Sequence, residues 1–197
     1  MIFLYRAILK LHTLYQAFIG RIYIEVSKAR GLKVGKNVQF IEAPDFGSEP
    51  FLIEIGDNTK ITANCTFINH DGAMYVIRSM EKYEDARNFG RIKIGKNCFI
   101  GNNCTLLPGA SMGDNCILGA GSVLNSSMPD NAVYAGVPAK MICTIEEYGD
   151  KALAHNVMYP RELEADRKAL EAYIAKNLPH SYKPIKTYHA HQEKNPY

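Results

Sequence analysis

Six residues in the first half of the chain, Phe67-Ile68-Asn69-His70-Asp71-Gly72, place a histidine beside an aspartate. His70 is the only histidine between positions 13 and 154. An imidazole titrates near working pH, at about 6.5 when unperturbed, so it can take a proton from an attacking hydroxyl. A base of this kind needs its second ring nitrogen held by an acceptor. Asp71, Glu42 or a backbone carbonyl would serve, and each would fix the tautomer. Nearby, Tyr75 offers a ring for stacking, Arg78 a guanidinium donor and Asp45 a carboxylate acceptor. Each has a plainer reading: a corner histidine is often solvated, and loop aspartates mostly serve turns.

The surroundings of His70 obey a period of six. From Ile94 a large apolar residue recurs at Ile94, Ile100, Leu106, Met112, Leu118 and Leu124. Glycine follows at Gly95, Gly101, Gly113 and Gly119, and the fifth position is small: Cys98, Cys104, Ala110, Cys116, Ser122. Helices repeat at three and four, and ordinary strands at two. A six-residue unit fits a short strand and a turn, with one large and one small side chain facing inward. Three such units close a triangular coil of parallel β-structure, in which residues 18 apart stack at about 4.8 Å. Ile94 should then lie under Met112, Ile100 under Leu118 and Cys98 under Cys116. A looser copy starts at Val34, and another runs through Ile55, Ile61 and Phe67. In the Phe67 unit, Phe67 and Asp71 take the nominal inward slots and His70 points outward at a corner.

Two segments break the phase, residues 42–52 and 71–91. Long excursions from a regular solenoid commonly build binding walls or lids. His70 stands where the longer one departs. One convex corner cannot enclose a ligand, so a site there needs the loop, a neighbouring subunit, or both.

Residues 1–30 precede the coil domain at 31–145. Leu4, Ile8, Leu11, Tyr15, Phe18 and Ile22 form one stripe of an amphipathic helix. Arg6, Lys10, His12 and Arg21 interrupt the apolar run before it reaches a membrane span, and no signal-peptide core is present. The stripe is expected to pack on the domain, while five Lys/Arg against one Glu also fit weak contact with anionic lipid. After the coil, 146–197 reads as a helical tail: Pro160 opens a helix through Asn177, with a Glu164 to Lys168 pair outside. The polar end from Pro179 onward is either disordered or an arm along a neighbour. Both terminal helices would cap the sheet edges that a solenoid exposes.

Composition narrows the function. The formal net charge is +3 over 197 residues, with 23 Lys+Arg and 20 Asp+Glu, far from the dense basic surface of a nucleic-acid binder. The five cysteines lack zinc spacings and fit the inward slots as small hydrophobes, with reduced thiols in the cytoplasm. No metal is expected.

Residues 92–142, and above all "AGSV…PDNAVYAGVPAK" with "NHDG…VIR" at 69–78, resemble the left-handed β-helix hexapeptide-repeat acetyltransferases. Within them the chain is similar to the sugar and polysaccharide O-acetyltransferases: maltose and galactoside enzymes and those acting on capsule or O-antigen. The resemblance covers residues 34 to about 148. It implies a left-handed coil, a homotrimer, and acetyl-CoA lying between adjacent subunits as co-substrate. His70 matches the catalytic base, and Ala120 the position whose backbone meets the pantetheine arm. Lys140 matches a basic residue near the nucleotide phosphates and Phe99 an aromatic of the coil beside the histidine. A backbone N–H near Gly101 or Asn102 would stabilise the oxyanion. Two features depart from the pattern. Asn125-Ser126 replace a Thr-Lys pair, and Cys143 replaces a second basic residue.

Rival functions are weaker. A γ-type carbonic anhydrase needs three converging histidines, and residues 94–129 contain none. Serine acetyltransferases carry a large helical N-terminal domain that 33 residues do not supply. An N-acetyltransferase on an amino-sugar and a non-enzymatic solenoid scaffold stay open. The first shares the base and the co-substrate groove, and the second would bind no acetyl-CoA.

Overall fold

The computed structural model describes residues 1–155 and 159–177. The chain divides into two compact units, Met1–Lys151 and Ala152–Tyr197. In the first unit short parallel strands stack into three sheets. The first sheet holds Lys33–Val34, Ile53–Ile55, Ile92–Ile94, Ser111–Met112 and Ser127–Met128. The second holds Gln39–Phe40, Lys60–Ile61, Phe99–Ile100, Ile117–Leu118, Ala132–Ala135 and Lys140–Thr144, and the third Thr66–Phe67, Thr105–Leu106 and Val123–Leu124. The chain visits the three in turn, which makes a triangular parallel coil.

The predicted stacking is present: Ile94 pairs with Met112 and Ile100 with Leu118. All six large positions are buried, Ile94 to Leu124, as are Cys98, Cys104, Ala110, Cys116 and Ser122. Each fully buried aliphatic side chain contributes about 1.5–3 kcal/mol, so the row of inward residues is the main stabilising element. The corners are fixed by a rule that the six-residue period only hinted at. Position four of eight units is Asn37, Asn58, Asn64, Asn97, Asn103 or Asn115, or Gly109 or Gly121, and all eight have positive φ. Glycine and asparagine adopt that turn at low cost. The asparagines also join the coils, since Asn97 Nδ2 donates to Asn115 Oδ1 at 2.8 Å and Asn115 Nδ2 to Asn131 Oδ1 at 2.9 Å.

His70 occupies position four of its unit and is absent from that positive-φ series. The turn is not made, and the chain leaves the coil. It comes back at Phe89, which bridges His70 antiparallel, with Asp71 N–H donating to the Asn88 carbonyl and Gly90 N–H to that of Asn69. Between lie the short helix Met74–Ile77 and a 3-10 turn at Glu81–Tyr83. The earlier interruption, with its 3-10 turn Pro50–Leu52, projects from the same corner one coil below, between the third and first sheets.

Helix α1, Ile2–Ala29, departs from expectation. Its stripe is not packed on the domain: Leu4, Ile8, Leu11, Tyr15 and Phe18 are more than half exposed and Ile22 46% exposed. Only its last turns dock, through Tyr23, Ile24 and the buried Ser27. The Tyr23 ring stacks on Phe46, and Phe46 N–H donates to Tyr23 Oη at 3.1 Å.

At the other end the sheet closes on the antiparallel strand Lys140–Thr144, paired with Ala132–Ala135. Thr144 then starts a helix, Ile145–His155, through a reciprocal cap: Glu147 N–H donates to Thr144 Oγ1 and Thr144 N–H to the Glu147 carboxylate. In the second unit the expected single helix is split. Arg161–Ala165 is a 3-10 turn, Asp166 caps the next amides, and the helix proper is Arg167–Asn177. Glu164 accepts from Tyr159 Oη instead of pairing with Lys168, and the surface pair is Arg167 with Glu171 at 2.7 Å. The polar end from Pro179, with His180, His189 and His191, lies outside the described residues.

Candidate active site

The corner where both interruptions project assembles the one histidine-carboxylate pair among the described residues. His70 Nδ1 lies 2.7 Å from Glu49 Oε2. The sequence had offered Asp71, Glu42 or a carbonyl for this contact, and the structure gives it to Glu49 from the first interruption. Ser48 Oγ donates to the same carboxylate at 3.0 Å. Burial pushes the Glu49 pKa up, but hydrogen bonds from His70 and Ser48 and the charges of His70 and Arg30 outweigh it. The net result lies below the ordinary 4.5. An ionised carboxylate only accepts, so Nδ1 carries a proton, and in the neutral ring the lone pair is on Nε2. The tautomer is that of a general base.

Asn69 holds the segment in place. It is 1% exposed, and its Nδ2 donates to the carbonyls of Glu49 at 2.8 Å and Phe46 at 3.2 Å. Asp71 does not take an inward slot. It is partly exposed, its Oδ1 accepts Ala73 N–H at 2.9 Å, and its Oδ2 faces Asn88 Nδ2 at 3.5 Å. Asp71 therefore shapes the loop entry, and Asn69 is the polar group drawn inside. An inward asparagine one residue before a corner is a weak sequence signal, because its amide partners come from another coil.

Beside His70 is a shallow cavity of about 150 Å³, lined also by Asp71, Met74, Arg78, Arg87, Asn88 and Phe89. Arg78 thus stands near His70, whereas Tyr75 is 80% exposed and outside that lining. Arg87 and Asn88, at the return of the loop, were not foreseen. Asp45 is committed elsewhere: its Oδ1 accepts Gly47 N–H at 2.9 Å and faces Tyr23 Oη at 3.5 Å. It closes a turn and anchors α1, which leaves the acceptor-hydroxyl role without support.

The other candidates lie away from this corner. Phe99 is 39% exposed on the outside of the second sheet, in a groove of about 340 Å³ with Lys60, Asn97, Asn115, Ile117 and Ile145. Gly101, Asn102 and Ala120 occupy the corner between the second and third sheets, stacked so closely that a Cβ on Gly101 would meet Ala120 N at 2.5 Å. Gly101 N–H donates to the Leu118 carbonyl, so it has no hydrogen to offer an oxyanion. Lys140 is exposed at the start of the antiparallel strand. One coil cannot bring a group on this corner to His70, because the third sheet separates them.

The thiols behave as core. Cys65, Cys98, Cys104 and Cys116 are buried and unpaired, with Sγ of the last three near 3 Å from the carbonyls of Gly113, Gly119 and Pro129. Burial raises all four pKa values, Cys98 to about 11. Among the described residues no three His, Cys, Asp or Glu side chains group to hold a metal.

Residues 91–126 match the bacterial transferase hexapeptide family, six repeats. Protein CapG of Staphylococcus aureus is 42% identical over 142 residues, covering 71% of this chain and 81% of CapG. The chain belongs to the hexapeptide-repeat acetyltransferases. Galactoside O-acetyltransferase of Escherichia coli (strain K12) is 33% identical over 99 residues, 50% of this chain and 47% of that enzyme. Among solved structures, a maltose O-acetyltransferase from Clostridium difficile 630 shares the fold with a TM-score of 0.50 at 19% identity, covering 70% of this chain and 88% of that one. For this acetyltransferase the matched segment 91–126 is coil, whereas Glu49 and His70 lie upstream of it.

Proposed function

We propose that this hexapeptide-repeat acetyltransferase moves an acetyl group from acetyl-CoA to a hydroxyl of a saccharide, in the assembly of a surface polysaccharide on the cytoplasmic side. The observation that carries the reading is the Glu49–His70 pair, beside a cavity that His70 lines together with two arginines. The names of the galactoside and maltose enzymes support a sugar acceptor. In this reading the coil is left-handed, as the family resemblance implies, and the chain works as a homotrimer. The separation of His70 from the Asn102 and Ala120 corner supports that assembly, since a second copy must bring the two together.

Nε2 of His70 takes the proton of the acceptor hydroxyl as its oxygen attacks the thioester carbonyl. Glu49 holds the ring and stabilises the imidazolium that forms. The tetrahedral oxyanion accepts from the Asn102 N–H, because that of Gly101 is occupied. Collapse breaks the carbon–sulfur bond, and the imidazolium returns its proton to the departing thiolate. Acetyl ester and free coenzyme A leave. Acetyl-CoA lies along the second sheet, with Phe99 and the backbone of Ala120 against its arm and Lys140 near its phosphates. Arg78 and Asp71 face the sugar at the loop, and Tyr75 stacks on a longer acceptor.

The test is release of free thiol from acetyl-CoA across a panel of sugars and glycan precursors, for the wild type and His70→Ala. Turnover that the substitution leaves equal would sink the base assignment. No turnover and no acetyl-CoA binding by calorimetry would overturn the transfer reaction itself.

A further inference from the structure

Helix α1 carries an unexplained surface. Its stripe from Leu4 to Ile22 is exposed, and among the described residues no helix is long and apolar enough to cross a membrane. At about 100° per residue, Gly20, Ile24 and Ser27 lie nearly opposite the stripe, and Tyr23 lies at the edge of that side. These are the residues that meet the coil: Ser27 is buried, Tyr23 and Ile24 pack on the core, and Gly20 would put a Cβ 3.3 Å from that of Ala43. The coil therefore holds the helix by its other side and turns the apolar face outward.

We infer that α1 is an interfacial helix that seats the enzyme on an anionic lipid surface, the apolar stripe entering the acyl boundary. Charge selects this occupant. Arg6, Lys10 and Arg21 are the only charged residues from Ile2 to Ile22, and all are cationic. Lys10 and Arg21 sit on the flank between the stripe and the coil-facing side, at the height of lipid phosphates when the stripe is immersed, while Arg6 lies further round, at the azimuth of Ile24. Tyr5, Tyr15 and Phe18 supply the aromatic rings that favour the same depth. A second copy of the helix is a poorer fit. Beside the stripe, the positions that set coiled-coil pairing hold Tyr5, Ala7, His12, Leu14, Ile19 and Arg21, which include no acid to pair with a base. The apolar face thus spreads wider than a two-helix seam, as a lipid-facing helix requires. The inference does not depend on which acceptor the enzyme uses.

The test is flotation of the full chain with vesicles of phosphatidylcholine alone or mixed with phosphatidylglycerol, beside light scattering without lipid. Wild type should float with the mixed vesicles and stay behind with the neutral ones. Replacing Lys10 or Arg21 by Gln should weaken binding about fivefold each, the worth of about 1 kcal/mol per cation at an anionic surface. The pair Leu11→Glu with Phe18→Glu should abolish flotation while the melting temperature and the assembly mass stay unchanged, because both side chains are solvent-facing. Failure of the wild type to float, equal binding to both vesicles, or flotation unaffected by the pair would overturn the inference. A smaller assembly for the paired variant would also overturn it, by showing that copies of α1 cover one another.

Discussion

The carboxylate of Glu49 and Nδ1 of His70 meet at 2.7 Å, although 21 positions separate them in the chain. They meet because two interruptions of the coil leave from one corner in successive turns. The contact assigns the ring proton to Nδ1, and the rest of the site follows from that.

Removing either partner should separate positioning from proton transfer. His70→Ala is expected to lower kcat by about 10²–10⁴-fold, the usual worth of a general base. Glu49→Gln should lower it less, by about tenfold or more, with acetyl-CoA affinity unchanged in both when measured by calorimetry. A Glu49→Gln enzyme with wild-type kcat would remove Glu49 from the reaction.

Acid should erase the structural part of the pair. The Glu49 carboxyl has its folded pKa below 4.5, so its contribution to stability is complete above the ordinary value and is lost as pH falls through the lowered one. The Tm difference between wild type and Glu49→Gln should be present at pH 5 and should shrink as pH falls below the ordinary 4.5 and through the lowered value. Thermal melts across that range check the sign, and a gap that widens in acid would contradict it.

The period of six made the coil legible because every turn repeats the same inward row, so Ile94, Ile100 and Leu118 announced their own stacking. Glu49 was not legible, because it lies in an interruption and its place is set by Asn69, an amide that reaches across coils to two carbonyls. Asp71 looked like the partner by adjacency alone. The corner residue carries a signal of its own: asparagine or glycine at position four goes with the turn, and His70 stands at a position four where the turn is not made. The exposed face of α1 could not be read, since the same apolar stripe serves burial against protein or against something else.

Where the loop returns, Gly90 tolerates no side chain. A Cβ there would come within 2.2 Å of Gly109 N and 2.5 Å of the Pro108 carbonyl carbon, both backbone atoms of the next coil. Gly90→Ala is expected to cost about 1–3 kcal/mol and to lower Tm by several degrees. Activity should fall with it, as Phe89 and Asn88 shift at the cavity. An unchanged melt would mean that the neck of the loop yields freely.

The buried thiols should be chemically silent. At neutral pH, Cys65, Cys98, Cys104 and Cys116 should resist a thiol-specific chromogenic reagent until denaturant is added, because burial raises each pKa, that of Cys98 to about 11. Rapid labelling of the folded chain would show that the coil opens.

Coil spacing also says what this scaffold lets vary. Contacts between neighbouring turns link residues 18 positions apart where the repeat is regular, 39 across the long loop, and 16 in the final turn. Register therefore depends on phase at the strands and is indifferent to how much chain is spent at a corner. The excursion between Asp71 and Asn88 hangs on a neck of a few backbone hydrogen bonds. It is an exchangeable cassette: a different segment closed by the same neck would present another surface to His70 and retarget the enzyme, with the coil beneath it unaltered.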